Sequence, residues 1–535
     1  MYRGKPVVLL LTVLLALMLA ACGGNDDDQG GTGGLEDAPP PKRGGEITVL
    51  EELGFAGAWP SGLDPATNVN GVANQPYMNS IYGQLFKLEG EEMVGDLAEG
   101  YELSEDGKTF TITLRDGVVF SDGSVFDAET VKWNFERSLA SPCTCNPERN
   151  WPPLDKPAIT TPDDRTVVLH FKAPYAAIAR SFMAANVNWI ASRTAFEEMG
   201  EREFKLKPVG AGPFTVVSNR PSAELVVERN PRYFRKDRPY LDKITFKSIG
   251  GDQAAYQAII AGQADAYEGI STPAIIDQAA SQDSLTVTQM LSTSPYVVQL
   301  NTTRPPFDDQ KAREAIYHAT DVEAIGSGLF KDKYPIVQSF TGPGGLFYNA
   351  DVPGYPSYDL EKAKQLVQEL GGLEVKLGTI NVLVARQTIE VLQSQWEKAG
   401  IQTTIESYDL ARLIEEFAGP WQAMLQTAGA WDPATGVSVE FRFGTESPFT
   451  GVKDPELDKL MADAAGELDE ERREELYNQV GEYISDKAYA PFMFAFAPAN
   501  VARKGVYGPG LTTKMPAVAV NPPVPWAEVY VNDEQ

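Results

Sequence analysis

The chain has 535 residues, 43% hydrophobic and 22% charged, a balance that excludes a disordered, collagenous or multi-spanning membrane protein. Its 46 basic and 74 acidic side chains leave a formal charge of −28; that field repels phosphate backbones, so nucleic acid is excluded as a partner. At about 150 residues per domain the length predicts three or four domains, enough for lobes with a cleft between them.

Arg3 and Lys5 precede residues 7–21, in which Thr12 is the one polar side chain. A spanning helix needs about 20 apolar residues, so this shorter run after a basic start reads as a secretory signal peptide over 1–21. Its exit, Leu19-Ala20-Ala21-Cys22-Gly23, resembles the bacterial lipobox, which implies lipidation of Cys22 and a membrane anchor outside the cytoplasm. The rival reading is an ordinary signal whose cysteine is incidental. Residues 22–43 then form a flexible tether rich in glycine, acids and proline, which lack the apolar side chains needed for a core.

The folded part opens with a strand at residues 46–50, followed by a polar stretch over 54–76 with the look of a binding loop. Phe110, Ile112 and Leu114 alternate with threonines after a turn at Asp106-Gly107, which predicts a hairpin. Asp127 is placed to cap a helix through Val131 and Phe135. With Cys22 assigned to lipid, Cys143 and Cys145 remain. One residue apart, they are near the outer limit of about 7 Å for a bridge, so a strained disulfide or two idle thiols are both open. No metal site is expected there, since no histidine lies nearby.

Further along, strand 243–248, helix 252–261 and strand 264–267 make one βαβ unit. Strand 373–377, a helix with Ala385, Ile389, Leu392 and Trp396 on one face, and strand 401–407 make a second. Asp359 and Asp454 are placed to cap two more amphipathic helices. Two separated βαβ regions with a hairpin-rich insertion ahead of the first predict two α/β lobes plus an extra domain.

Catalytic residue types are scarce. His170 and His318 are the two histidines; one falls in an apolar strand and the other on an apolar helix, both structural places. There is no His-Glu-x-x-His and no Gly-x-Ser-x-Gly. Gly210-Ala211-Gly212 lacks a third glycine and runs into Pro213, so it reads as a turn rather than a nucleotide loop. No cofactor is expected.

Four stretches carry a resemblance. They are Leu97-Ala98-Glu99-Gly100-Tyr101 with Leu114-Arg115-Asp116-Gly117-Val118 and Asp127-Ala128-Glu129-Thr130-Val131; Pro208 to Phe214 with Arg229-Asn230-Pro231; Leu300-Asn301 with Pro305 to Asp309 and Arg313-Glu314-Ala315; and Gly400-Ile401 with Asp454-Pro455-Glu456-Leu457-Asp458. They resemble the extracellular solute-binding proteins of the dipeptide, oligopeptide and nickel-complex type that serve ABC importers. The resemblance implies an α/β, two-lobed periplasmic-binding-protein-like clamp with an extra domain inserted in the first lobe. On this reading lobe I comprises 44–75, 208–285 and 505–535, the extra domain 76–207, and lobe II 286–504. The chain is expected to be a monomer that traps a peptide-like or other small solute and delivers it to a membrane permease, without breaking bonds.

Peptide-binding members are similar around a Trp-x-x-Asp-x-x-Asp-Pro stretch whose first aspartate pairs with a peptide amine. Here Asp432-Pro433 matches the later pair, but Gly429 stands where that first aspartate would be. The amine anchor is therefore expected to be missing. For the cleft the expected ligand-binding residues are Trp431 and Asp432, then Trp421, Trp59, Asn74 and Tyr77, since an indole offers a broad apolar face and one N–H donor. The alternatives are a turn-capping role for Asp432 and core packing for each aromatic. Two other functions stay open: a secreted carboxylate-dependent hydrolase, and a signalling receptor or chaperone on the same fold.

Overall fold

A computed structural model describes residues 38–52, 62–68, 75–89, 92–141, 151–290, 293–429, 431–496, 498–514 and 524–532. The signal segment, Cys22, Trp59, Asn74, Cys143 and Cys145 lie outside the described residues. Among the described residues no helix is long and apolar enough to cross a membrane.

Strand Glu46–Glu52 sits inside a seven-stranded sheet, paired in parallel on one side with Lys243–Ile249 over its whole length and on the other with Ala266–Ile270. Its period-two pattern sends Ile47 and Val49 into one core and Leu50 into another, so both faces of this sheet are covered, as parallel crossovers require. The βαβ expectation holds here: helix Asp252–Ile260 links the two outer parallel strands. Glu224–Arg229 and Phe214–Arg220 extend one edge, and Ala499–Arg503 and Leu285–Gln289 the other.

A five-stranded sheet holds the second βαβ unit. Leu373–Ile380 and Ile401–Tyr408 run parallel in unbroken register, Leu373 beside Ile401 through Ile380 beside Tyr408. The connecting helix Leu383–Lys398 buries Ala385, Ile389, Leu392 and Trp396, the apolar stripe expected from its 3.6-residue period. Gly400, at φ +86°, takes the left-handed turn that ends it. Ala423–Thr427, Pro295–Leu300 and Phe492–Ala495 complete this sheet.

The insertion is a four-stranded antiparallel sheet with Thr109–Leu114 and Thr166–Phe171 at its centre. Phe110, Ile112 and Leu114 are buried as their alternation predicts. Helix Ala128–Ala140 is capped by the Asp127 carboxylate, which accepts from the Thr130 amide at 2.8 Å. Its core is not self-contained: it runs on into Leu457, Met461, Tyr477 and Ile484 on helices Pro455–Gly466 and Glu470–Asp486.

The sheets divide the chain somewhat away from the expected borders. Leu285–Gln289 and Ala499–Arg503 hydrogen-bond into the seven-stranded sheet, although most of this pair falls in the span 286–504 expected for the second lobe. Tyr77, Met78, Ile81, Trp189 and Phe204 pack in the core under the seven-stranded sheet, not in the insertion. The tether also ends earlier than 43: Pro39 and Pro40 carbonyls accept from Tyr530 and Asn532, and Gly44 donates to Tyr240 at 2.9 Å. Gly210 and Gly212 are needed for close approach, because a Cβ on either would lie 2.5 Å from the backbone of Ile81.

Candidate functional site

The two larger sheets are joined by two crossings that run side by side. The chain leaves one sheet at Gln289 and enters the other at Pro295, then returns between Ala495 and Ala499. Met290 N–H donates to the Pro498 carbonyl at 3.4 Å, and Phe496 N–H to the Ser294 carbonyl at 3.1 Å. Paired short crossings between rigid sheets are the geometry of a hinge. Beyond them the lobes touch: the Tyr334 hydroxyl donates to the Ser271 carbonyl at 2.5 Å, and Lys333 meets Asp277 at 2.7 Å.

The carboxyl end of the seven-stranded sheet, next to this hinge, carries an unusual set of acids. Leu50 is level with Tyr267 in the parallel ladder, so the next pair, Glu51 and Glu268, lie side by side. They point to the face that also holds Val49 and Ala266. Glu51 is 5% and Glu268 6% exposed. Desolvation pushes the Glu51 carboxyl up to about 8 against a partial opposing effect of the Tyr77 hydroxyl. Desolvation, then the neighbouring Glu51, holds Glu268 well above the usual carboxylate range. Glu51 Oε1 and both Glu268 carboxylate oxygens have no hydrogen-bond partner among the described residues.

The opposite face is better matched. Burial, then Asp252, raises Glu52 to about 7, with Arg386 of the five-stranded lobe opposing the shift. Asp252 accepts from Tyr267 at 3.0 Å and from the Thr272 amide at 2.7 Å. Across the hinge, Thr293 and Thr341 are fully buried with hydroxyls that find no partner among the described residues; the Gly342 amide donates to the Thr293 carbonyl at 3.1 Å, which brings the two together.

Of the expected binding residues, Tyr77 reaches this acid pair: its hydroxyl faces Glu51, and its ring packs edge-on against Phe246 at 5.1 Å. Asp432 is a correction. It is fully buried, and its two oxygens accept from Arg473 at 2.7 and 2.6 Å while Oδ1 also takes the Ala434 amide. Burial alone would raise its carboxyl, but Arg473 and then Arg180 hold it below the usual range. A carboxylate so occupied caps its own turn and ties helices together; it presents no free oxygen to a ligand. Trp421 is a second correction. It lies before strand Ala423–Thr427, beside Asn301 at the end remote from the hinge, edge-on to Phe417 at 5.5 Å. Trp431 is half-buried under the Arg180 guanidinium, 5.8 Å from its ring centre, with its carbonyl accepting from Leu346.

Gly429 has a geometric reason to be glycine. At φ +141° a Cβ would stand 2.3 Å from the Thr293 carbonyl oxygen, so no aspartate fits there without moving the crossing. Sequence reasoning missed Glu51 and Glu268. The signal was present in part: in strand Glu46–Glu52 position 51 shares its face with Ile47 and Val49, so a period-two reading carried one residue further buries a carboxylate.

A separate depression of about 670 Å³ is lined by Glu89, Arg115, Phe234 and Arg235 among others. Its Arg235 already pairs with Asp96 at 2.6 Å, so its charge is met from within.

Comparison with known proteins agrees with this architecture. The Helicobacter pylori ABC transporter-associated periplasmic binding protein DppA, solved with the peptide STSA, superposes with a TM-score of 0.78 at 21% identity, covering 92% of this chain and 98% of that one. AgaA from "A.tumefacien R10", solved with agropinic acid, gives 0.80 at 20% identity, covering 92% and 99%. In sequence, the glutathione-binding protein GsiB of Salmonella typhimurium is 28% identical over 393 residues, 70% of this chain and 73% of that protein. The model for "Bacterial extracellular solute-binding proteins, family 5 Middle" matches residues 92–447, well over half of the chain, which therefore belongs to the family 5 bacterial extracellular solute-binding proteins.

Proposed function

We propose that the chain is the lipid-anchored substrate-binding component of an ABC importer. It captures a small solute at the hinge-side junction of the two larger sheets and hands it to a membrane permease unchanged. The observation that carries this reading is the pairing of Met290 with Pro498 and of Phe496 with Ser294 beside unsatisfied buried polar groups, because a hinge next to desolvated groups couples ligand capture to lobe closure. Relatives solved with a peptide and with agropinic acid keep peptide-like and opine-like solutes in view.

Anchoring through Cys22, export by the segment 1–21, and a monomeric state belong to the same proposal. They rest on the lipobox-like Leu19 to Gly23. The domain assignment is likewise proposed: one lobe on the seven-stranded sheet, a second on the five-stranded sheet, and the insertion packed against helices of the second.

Small-angle scattering of the purified protein with and without solutes tests the reading. A captured solute shrinks the radius of gyration and raises the melting temperature. Absence of both effects for every solute tried, including concentrated growth medium, overturns it.

A further inference from the structure

Several other buried carboxylates have a cationic or hydrogen-bonding partner, although Asp64 keeps its Oδ2 without one among the described residues. Asp432 meets Arg473, Asp64 meets Arg137, Asp96 meets Arg235, and Asp252 meets Tyr267, Ser271 and Thr272. Glu51 and Glu268 differ in being a pair without a cation: side by side, over nine-tenths buried, with Glu51 Oε1 and both oxygens of Glu268 unpartnered among the described residues. Two like charges at that depth are costly, and each unmade hydrogen bond adds to the cost. The titratable groups that face them are each other, Tyr77 on helix Gln75–Ile81 and Tyr267 on the neighbouring strand. No lysine or arginine among the described residues acts on either carboxyl.

Their position gives this unmet demand a use. Glu268 precedes Ile270, which pairs with Ala499, and Ala499 pairs with Gln289; both of the latter open directly onto the hinge crossings. The two carboxyls thus lie at the hinge-side end of the sheet, with the Tyr77 hydroxyl against Glu51. We propose that Glu51 and Glu268, with Tyr77 beside them, form the counter-charge site for a basic nitrogen of the captured solute, so the ligand class is an amine, amidinium or guanidinium compound. This rests on the solute-binding reading above. It also accounts for a site with no aspartate at position 429: the positive group is held by the seven-stranded lobe instead of by the turn at Gly429. Because the carboxyl pair holds at least one proton in the empty protein near neutral pH, binding a cation expels that proton to solvent.

The test begins with native mass spectrometry of the full chain purified without refolding, supplemented by matched probes: arginine against citrulline, lysine against norleucine, and spermidine. The expected result is a solute or probe with a basic nitrogen. Isothermal titration in two buffers of different ionisation enthalpy should show proton release on binding at pH 7. The E51Q/E268Q variant should bind it about tenfold or more weakly, in line with the loss of charge-assisted hydrogen bonds, yet melt no lower than the parent, since it sheds two desolvated carboxyls.

A bound solute without a basic nitrogen, binding without proton release, or unchanged affinity in E51Q/E268Q overturns the inference while leaving solute capture intact. If nothing co-purifies and neither the probes nor growth medium alters melting or compaction, solute capture itself falls, and the inference with it. Should the double variant fail to fold, E268Q alone is titrated in the same way.

Discussion

Asp432 and Arg473 form a two-pronged ion pair in the interior, with Nη1 and Nη2 at 2.7 and 2.6 Å from the two carboxylate oxygens and side-chain exposures of 0% and 2%. Arg180 of the insertion reaches the same aspartate at 3.4 Å and Glu470 at 3.0 Å. One carboxylate thus holds the turn after strand Ala423–Thr427, helix Glu470–Asp486 and the insertion together.

Removing one partner of such a pair strands the other charge, at a cost of about 3–5 kcal/mol. D432A should therefore lower the melting temperature by many degrees, measured by calorimetry. Any solute that binds the surviving folded fraction should do so with nearly the parent affinity. A variant that melts normally but loses binding would return Asp432 to the ligand.

The acid pair sets a pH dependence of known sign. Glu51 has a folded value of about 8 against an ordinary 4.5, so the folded protein binds more protons than the unfolded chain between those values, and stability falls as pH rises through that window. Glu52, raised to about 7, acts in the same direction. Melting of the ligand-free protein should decline between pH 5 and pH 8.5, and E51Q should flatten that slope. An unchanged slope in E51Q would show that Glu51 is not the group responsible.

Tyr334→Phe removes the hydroxyl that bridges the lobes to the Ser271 carbonyl. Such a bond is worth about 0.5–1.5 kcal/mol net, enough to shift an open–closed balance severalfold. The variant should show a larger radius of gyration when empty and weaker solute binding, while its melting changes little.

Gly429→Asp puts the amine-anchor residue type back where the turn has no space for a Cβ, 2.3 Å from the Thr293 oxygen. A lower melting temperature with no gain of dipeptide affinity is expected from titration calorimetry; a gain would mean that the crossing yields readily.

Trp421→Ala empties an aromatic cluster that includes Phe417, Phe441 and Phe449. The expected loss is about 3–5 kcal/mol of stability, read by urea denaturation, with solute affinity preserved in the folded protein.

Much of the fold is legible in the sequence because it is local. Alternation at Phe110, Ile112 and Leu114, the stripe Ala385, Ile389, Leu392 and Trp396, and the caps Asp127, Asp359 and Asp454 are set by spacing within one element. The family segments from Leu97 to Asp458 are likewise strings of neighbours, and they led to the right family. Of the expected site residues that the structure describes, Tyr77 is the one beside the acid pair. An indole or carboxylate looks the same in a sequence whether it lines a cleft or fills a core, so Trp421 and Asp432 were misplaced.

By itself, then, the amino-acid order determined which segments become strands and helices, the two-lobed class and the kinship, since periodicity and short motifs act over a few residues. Tertiary structure alone decided which charges are met. Arg473 reaches the turn at Asp432 from a helix position 41 residues on, and Glu268 comes beside Glu51 only when two distant strands join one sheet. A buried charge is stabilised or left wanting by whatever folding brings against it, and the chain's linear order does not record that neighbour.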